Sequence, residues 1–194
     1  GAEVILKGHD FDAAKLHARD LARETGAFYL EDGREPAIAE GAGTIALELL
    51  KSETRPAALY VPVGNGALIC GIAAWVKARA PQVKVIGVVP ETAPSMLLSW
   101  RDGKVVTTER ADTVADGLAV RLPVDVAVDF MRAHVDAMVS VSEARMMEAT
   151  RLLFREAGLV IEPSGAAGLA ALLDAPKGDA SPVAMILCGG NLRP

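Results

Sequence analysis

From Ala58 onward the chain alternates short β-branched runs with longer amphipathic ones: Ala58 to Val63, then Ala67 to Arg79, then Lys84 to Val89. Such alternation is the pattern of βα units, in which each helix returns the chain across a mainly parallel sheet. Two consecutive connections of this kind favour a right-handed crossover. The fold class is therefore α/β: a mainly parallel twisted sheet flanked by helices. The rhythm breaks over Thr92 to Leu122, where Pro94, Gly103 and Gly117 leave only weak periodicity and a short helix near Ser95 to Arg101. It resumes with a helix from Val124 to Ala133, a strand from Ala137 to Val141 and a helix from Ser142 to Ala157, opened by Ser142 and closed by Gly158. A helix over Ser164 to Leu173 and a strand over Val183 to Leu187 complete the series.

Ahead of Ala58 the same signals are shorter. Val4 to Leu6 predicts a strand, Asp10 to Thr25 a helix with Phe11, Ala14, Leu21 and Ala22 near one face, and Ala27 to Leu30 a second strand. Glu31 to Pro36 is polar and turn-rich, and a helix from Pro36 to Lys51 carries Ile38, Ile45 and Leu49 on its apolar side. A crossing between two subdomains is placed at this linker.

With 51% hydrophobic residues in 194, the chain has the apolar material for a well-buried core. Its net charge of −5 is spread without a Lys/Arg block, which argues against a nucleic-acid partner. Ala57 to Val76 is uncharged over about the length of a membrane span. Pro62, Gly64, Asn65, Gly66 and Gly71 punctuate it, so it reads as strand, loop and helix with no membrane role. Gly1 to Leu6 has neither a basic stretch nor a cleavage site, so no export signal is expected. Cys70 and Cys188 lie in apolar stretches and read as free thiols in a reducing, cytoplasmic setting.

Two segments are candidates for chemistry. Gly64-Asn65-Gly66-Ala67 stands between a strand and an apolar helix, where unpaired N–H groups and the helix dipole favour an anion. Ile69 occupies the position where the dinucleotide fingerprint needs a third glycine, and no Gly-Lys-Ser/Thr follows, so standard nucleotide motifs fail and an ordinary tight turn stays an open alternative. Leu187-Cys188-Gly189-Gly190-Asn191 brings a thiol to the end of a second strand. Ligands of open α/β sheets sit beyond the carboxyl ends of strands, so one pocket could join Gly64 and Cys188. A buried cysteine is also a common small core residue. Glu162, beside Pro163 at a helix start, reads either as a favourable helix-terminal charge or as part of the same edge. His9, His17 and His134 are too scattered for a metal site.

Taken together, several motifs resemble the fold type II pyridoxal-phosphate enzymes of the threonine/serine dehydratase and serine racemase family. They are Gly1-Ala2-Glu3-Val4, Gly41-Ala42-Gly43-Thr44-Ile45-Ala46-Leu47-Glu48, Val61 to Leu68, Ala115-Asp116-Gly117, Ile161-Glu162-Pro163-Ser164-Gly165-Ala166 and Leu187-Cys188-Gly189-Gly190-Asn191. Their order and spacing carry the resemblance. It implies that Gly64, Asn65, Gly66 and Ala67 form the cradle for the phosphate of pyridoxal 5'-phosphate, usually four glycines in the family. It implies that Cys188 stands next to the pyridine nitrogen, and that Glu162 and Gly117 line the cofactor side of the pocket. A thiol beside that nitrogen, unlike a carboxylate, leaves the ring a weaker electron sink and favours β-elimination.

The same resemblance implies two absences. The family's cofactor-bearing lysine lies in a Ser-x-Lys segment, followed by a Ser-x-Gly-Asn-His substrate loop, and neither occurs here. Lys7, Lys15, Lys51, Lys77, Lys84, Lys104 and Lys177 all stand in other contexts. The chain thus resembles the carboxy-terminal part of such an enzyme, with residues 1–35 the remainder of the small domain and 36–194 part of the large cofactor-binding domain. No catalytic residue of its own is expected. The divalent-cation positions of some relatives are held by Val89 and Ser95, so no metal is expected by that route. The implied partners are a small amino-acid substrate and the missing amino-terminal part, and a homodimer stays open. The implied activity is dehydration and deamination of threonine or serine to a 2-keto acid and ammonia. A non-catalytic phosphate-ligand module, or a racemase or β-replacement synthase within the family, are the alternatives.

Overall fold

A computed structural model describes residues 1–176 and 181–191; Lys177 lies outside them. Two helices come first, α1 (Phe11–Thr25) and α2 (Pro36–Leu49). The sheet then begins with β1 (Ala58–Pro62), α3 (Ala67–Arg79) and β2 (Lys84–Pro90). A short helix, α4 (Ser95–Asp102), and a single 3₁₀ turn at Asp116–Leu118 interrupt the weakly periodic stretch. The chain continues through α5 (Asp125–His134), β3 (Ala137–Val141), α6 (Glu143–Ala157), α7 (Pro163–Asp174) and β4 (Val183–Met185).

Local chemistry sets the helix ends. Asp10 Oδ1 accepts from the N–H of Ala13 at 2.8 Å and Gly26 closes α1 in the left-handed conformation, φ 73°. Ser142 Oγ accepts from Arg145 N at 3.2 Å to open α6, and Gly158, φ 66°, stops it. Pro36 and Pro163 occupy first-turn positions of α2 and α7, where no intrahelical N–H bond is lost.

The four strands are all parallel, in the order β3-β2-β1-β4. Leu59, Val61, Val85 and Val89 face a core shared with Ile69, Ile72 and Val76 of α3 and Val128 and Met131 of α5. Tyr60 and Val88 face the other layer, with Met146 and Leu153 of α6 and Ala166, Ala167, Ala170 and Ala171 of α7. Both faces are covered, which is why these strands read as nearly continuous apolar runs. The helix pair α2 and α3 crosses at backbone contact: a methyl on Gly71 would overlap the carbonyl oxygen of Ala39.

Two expected strands are not formed. Val4 to Leu6 and Ala27 to Leu30 belong to no sheet, and Val4, Leu6, Phe28 and Leu30 are exposed. A strand is a ladder between two segments, and among the described residues neither run has a neighbour to supply the other half. The expected apolar face of α1 is likewise half-open: Phe11 is exposed and the buried residue of the helix is Asp12. The last strand is shorter than Val183 to Leu187, although Ile186 N still donates to Tyr60 O at 3.0 Å.

Candidate functional site

Because β2 and β3 extend the sheet to one side of β1 while β4 lies on its other side, the strand order reverses between β1 and β4. Parallel sheets open a crevice at such a point, beyond the carboxyl ends of the two strands. The loop after β1 carries Gly64 to Ala67, and the segment after β4 carries Cys188 to Asn191. The two candidate segments therefore leave neighbouring strands at the same edge of the sheet.

The loop is built to bring backbones together. A methyl on Gly64 would lie 2.5 Å from the carbonyl oxygen of Gly117, so the 3₁₀ turn at Asp116–Leu118 rests directly on the loop. Gly66 has φ 99°, where a side chain is strained, and a methyl there would meet Ala127 Cβ at 2.9 Å. Among the described residues no non-glycine has positive φ, so the backbone at Asn65 and Ala67 does not require glycine. Replacing glycine at these two positions therefore keeps the main-chain donors in place. Gly66 supplies no side-chain cap to α3, and the first-turn N–H groups of a helix have no intrahelical acceptor. The donor set suits a phosphate bound through main-chain contacts.

The start of α7 and the segment after β4 lie beside this loop, joined to it through the 3₁₀ turn. Gly117 N donates to Ser164 Oγ at 3.1 Å, which ties the 3₁₀ turn to α7. A methyl on Gly117 would lie 3.8 Å from Glu162 Oε1. Glu162 does not cap α7 with its side chain; its Oε2 accepts from Asn191 N at 2.7 Å, and its own N–H donates to Gly189 O at 3.3 Å. Gly189, φ 80°, lies so close to Glu162 Oε1 that a methyl would overlap it. Thus Gly64, Gly117, Glu162 and the Cys188 segment converge, while the Asn65 side chain is engaged elsewhere, with Asp32. Ser164 is a constituent that sequence reasoning missed; its place in Pro163-Ser164-Gly165, at a helix start beside Glu162, was the available signal.

Burial pushes the Cys188 thiol above its ordinary value, and the Glu162 carboxyl nearby adds to the effect. Cys70, outside this cluster, is pushed up to about 12 by burial alone, and its Sγ lies 3.8 Å from Ala127 O. Both groups are free thiols that stay protonated at neutral pH. Iodoacetamide at pH 8 is expected to modify Cys188 slowly and Cys70 only when the chain unfolds, as mass spectrometry of denaturant-pulsed samples would read; rapid native labelling of Cys70 would contradict this burial. The raised folded-state value of Cys70 also has a pH sign. Its contribution is fully present below about pH 8.5, the unfolded thiol's value, and is lost as pH climbs toward 12, so Cys70→Ala should flatten the alkaline limb of a stability profile.

Free main-chain donors and a protonated thiol thus stand at the reversal point of an open α/β sheet, where proteins of this fold class take their ligands. The chain belongs to the pyridoxal-phosphate dependent enzymes, whose family model matches residues 1–189. It is 38% identical over 192 residues to an L-threonine ammonia-lyase of Thermotoga maritima, covering 99% of this chain and 48% of that one. The processed form of threonine deaminase isoform 2 from Solanum lycopersicum superposes with a TM-score of 0.89 at 34% identity, covering 97% of this chain and 56% of that one. Maize serine racemase superposes with a TM-score of 0.88 at 28% identity, over 100% of this chain and 60% of that one. The chain spans about half the length of the curated relatives it matches. No helix among the described residues is long and apolar enough to cross a membrane.

Proposed function

We propose that this chain is the carboxy-terminal part of a pyridoxal-phosphate-dependent lyase that converts threonine or serine to a 2-keto acid and ammonia. The observation that carries the proposal is that the Gly64 to Ala67 loop and the Cys188 segment leave the neighbouring strands β1 and β4 at the reversal, linked through Gly117 and Glu162. Residues 1–35 are read as the remainder of a small domain and 36–194 as part of the cofactor-binding domain. The main-chain N–H groups of Gly64, Asn65, Gly66 and Ala67 would hold the phosphate, with Gly117 beside them. Cys188 would face the ring nitrogen, and Glu162 would fix the segment that follows Cys188 through Asn191 N. When bound, pyridoxal phosphate supplies an electron-accepting ring for breaking bonds at the substrate's α-carbon. A protonated thiol brings no full negative charge to the nitrogen, so little positive charge is held there. That environment suits loss of a β-hydroxyl better than prolonged storage of charge on the ring. The free thiols are consistent with a reducing, cytoplasmic setting.

The test is to read the coding sequence ahead of Gly1 and to assay both forms. In-frame Ser-x-Lys and Ser-x-Gly-Asn-His segments are expected. The joined protein should release keto acid and ammonia from threonine or serine, while the 194-residue chain alone should release none. Sustained turnover by the chain alone would overturn the proposal. A start codon directly before Gly1 would favour a non-catalytic phosphate-ligand module.

A further inference from the structure

The glycine loop contains one side chain whose placement its backbone does not require. Asn65 does not have positive φ, yet it is almost entirely buried, at 4% exposure. Its Nδ2 donates to Asp32 Oδ1 at 2.9 Å, and its Oδ1 is buried with no partner among the described residues. The amide cannot profitably turn over, because that would set its oxygen against the Asp32 carboxylate. The main chain repeats the contact: Gly33 adopts φ 78°, and a methyl there would overlap the carbonyl oxygen of Asn65. The turn carrying Asp32 is itself held. Arg34 donates to Glu31 Oε2 at 2.8 Å and to Asp125 Oδ1, at the start of α5, at 2.7 Å. Glu35 N also donates to Glu31 O at 3.0 Å.

We propose that Asn65 and Asp32 are a positioning pair: their hydrogen bond sets the orientation of the loop's main-chain donors and couples anion binding there to the order of the linker at residues 31–35. The inference rests on the reading that this loop takes a phosphate. Asp32 acts as an acceptor and not as an attractive charge, since a carboxylate beside a phosphate is electrostatically unfavourable. Reversing donor and acceptor should therefore preserve the pair. Asn65→Asp alone places two carboxylates face to face. In Asn65→Asp combined with Asp32→Asn, the new amide donates to the new carboxylate and the local charge equals that of the original pair.

The experiment measures affinity for inorganic phosphate and for pyridoxal 5'-phosphate by calorimetry on the full chain, with amide exchange across residues 31–35 read with and without phosphate. Asn65→Asp is expected to weaken binding by about tenfold or more and to speed exchange in the linker. Asp32→Asn alone should stay within about threefold, and the double variant should recover most of the affinity and the protection. Recovery separates pairing from simple repulsion of the phosphate, because the Asn65→Asp change is common to the single and the double variant. Unchanged affinity in Asn65→Asp, or a double variant as weak as the single, would overturn the pair while leaving the proposed function intact. Absence of phosphate and cofactor binding by the unaltered chain would overturn the cradle itself, and the coupling with it.

Discussion

Gly165→Ala is expected to lower the stability of the chain by about 2 kcal/mol and to weaken cofactor-phosphate binding by more than about tenfold. A methyl at this position would overlap the carbonyl oxygen of Cys188, lie 2.6 Å from its carbonyl carbon and meet Ile161 Cγ2 at 2.8 Å. Two of these three atoms are backbone, so no rotamer change relieves them. Either the start of α7 or the segment after β4 must move. The start of α7 is held from within, because Ala166, Ala167, Ala170 and Ala171 are all buried against the sheet layer. An opposing effect exists: alanine gains about 1 kcal/mol over glycine inside a helix. Overpacking against backbone costs about 1–3 kcal/mol and occasionally more, so the clash outweighs the gain. With α7 held, the displacement falls on Cys188 and with it on the Glu162 to Asn191 hydrogen bond, so the site is damaged together with the fold. Gly168→Ala is the control, since its methyl would meet Met185 Cβ at 3.1 Å and Tyr60 O at 3.2 Å and needs only a small adjustment. Urea unfolding of both variants, paired with phosphate titration, makes the comparison. A Gly165→Ala protein as stable as the parent would show that α7 is not seated against the Cys188 segment as described.

Clashes of this kind mark where sequence reasoning stops. The strands and helices from Ala58 onward were legible because apolar period and capping residues are local, and Ser142 and Gly158 open and close their helix as the sequence reading expects. The convergence of Gly64 and Cys188 was legible as an expectation because a parallel sheet places all strand ends on one edge. That β4 adjoins β1, however, is a fact of topology that no spacing encodes. Val4 to Leu6 and Ala27 to Leu30 have strand-forming residues, but the residues cannot supply their own ladder partner. Gly71 and Gly165 look like ordinary helix glycines in sequence, and only the crossing backbones reveal why a methyl is excluded. The same holds for Asn65. Its departure from glycine reads as a tolerated replacement until the side chain is found buried against Asp32, far away in sequence.

Asp12→Ala should cost about 3–5 kcal/mol, the loss expected when one partner of a buried ion pair is removed. Asp12 is 1% exposed and pairs with Lys15 Nζ at 2.8 Å, while its Oδ2 accepts from Arg121 N at 2.7 Å and Leu122 N at 3.2 Å. Lys15 Nζ donates to Leu122 O at 2.9 Å, and Arg121 Nε reaches Asp10 Oδ2 at 2.6 Å. Polar contacts thus hold α1 to the segment following the 3₁₀ turn of Gly117, where its exposed Phe11 supplies little apolar adhesion. Removing both charges is the usual remedy for a buried pair, and well-packed apolar replacements are often neutral or stabilising. Here Asp12→Leu combined with Lys15→Met should recover only part of the loss. The N–H groups of Arg121 and Leu122 would remain without the carboxylate, at about 1–3 kcal/mol for a buried unsatisfied group. Denaturant unfolding of the parent, single and double variants, with amide exchange read at Arg121 and Leu122, separates the two contributions. Full recovery in the double variant would mean that the carboxylate serves Lys15 alone. Partial recovery with fast exchange at those two amides would identify Asp12 as the acceptor that fixes this segment, and with it the position of α1 relative to the turn that supports Gly64.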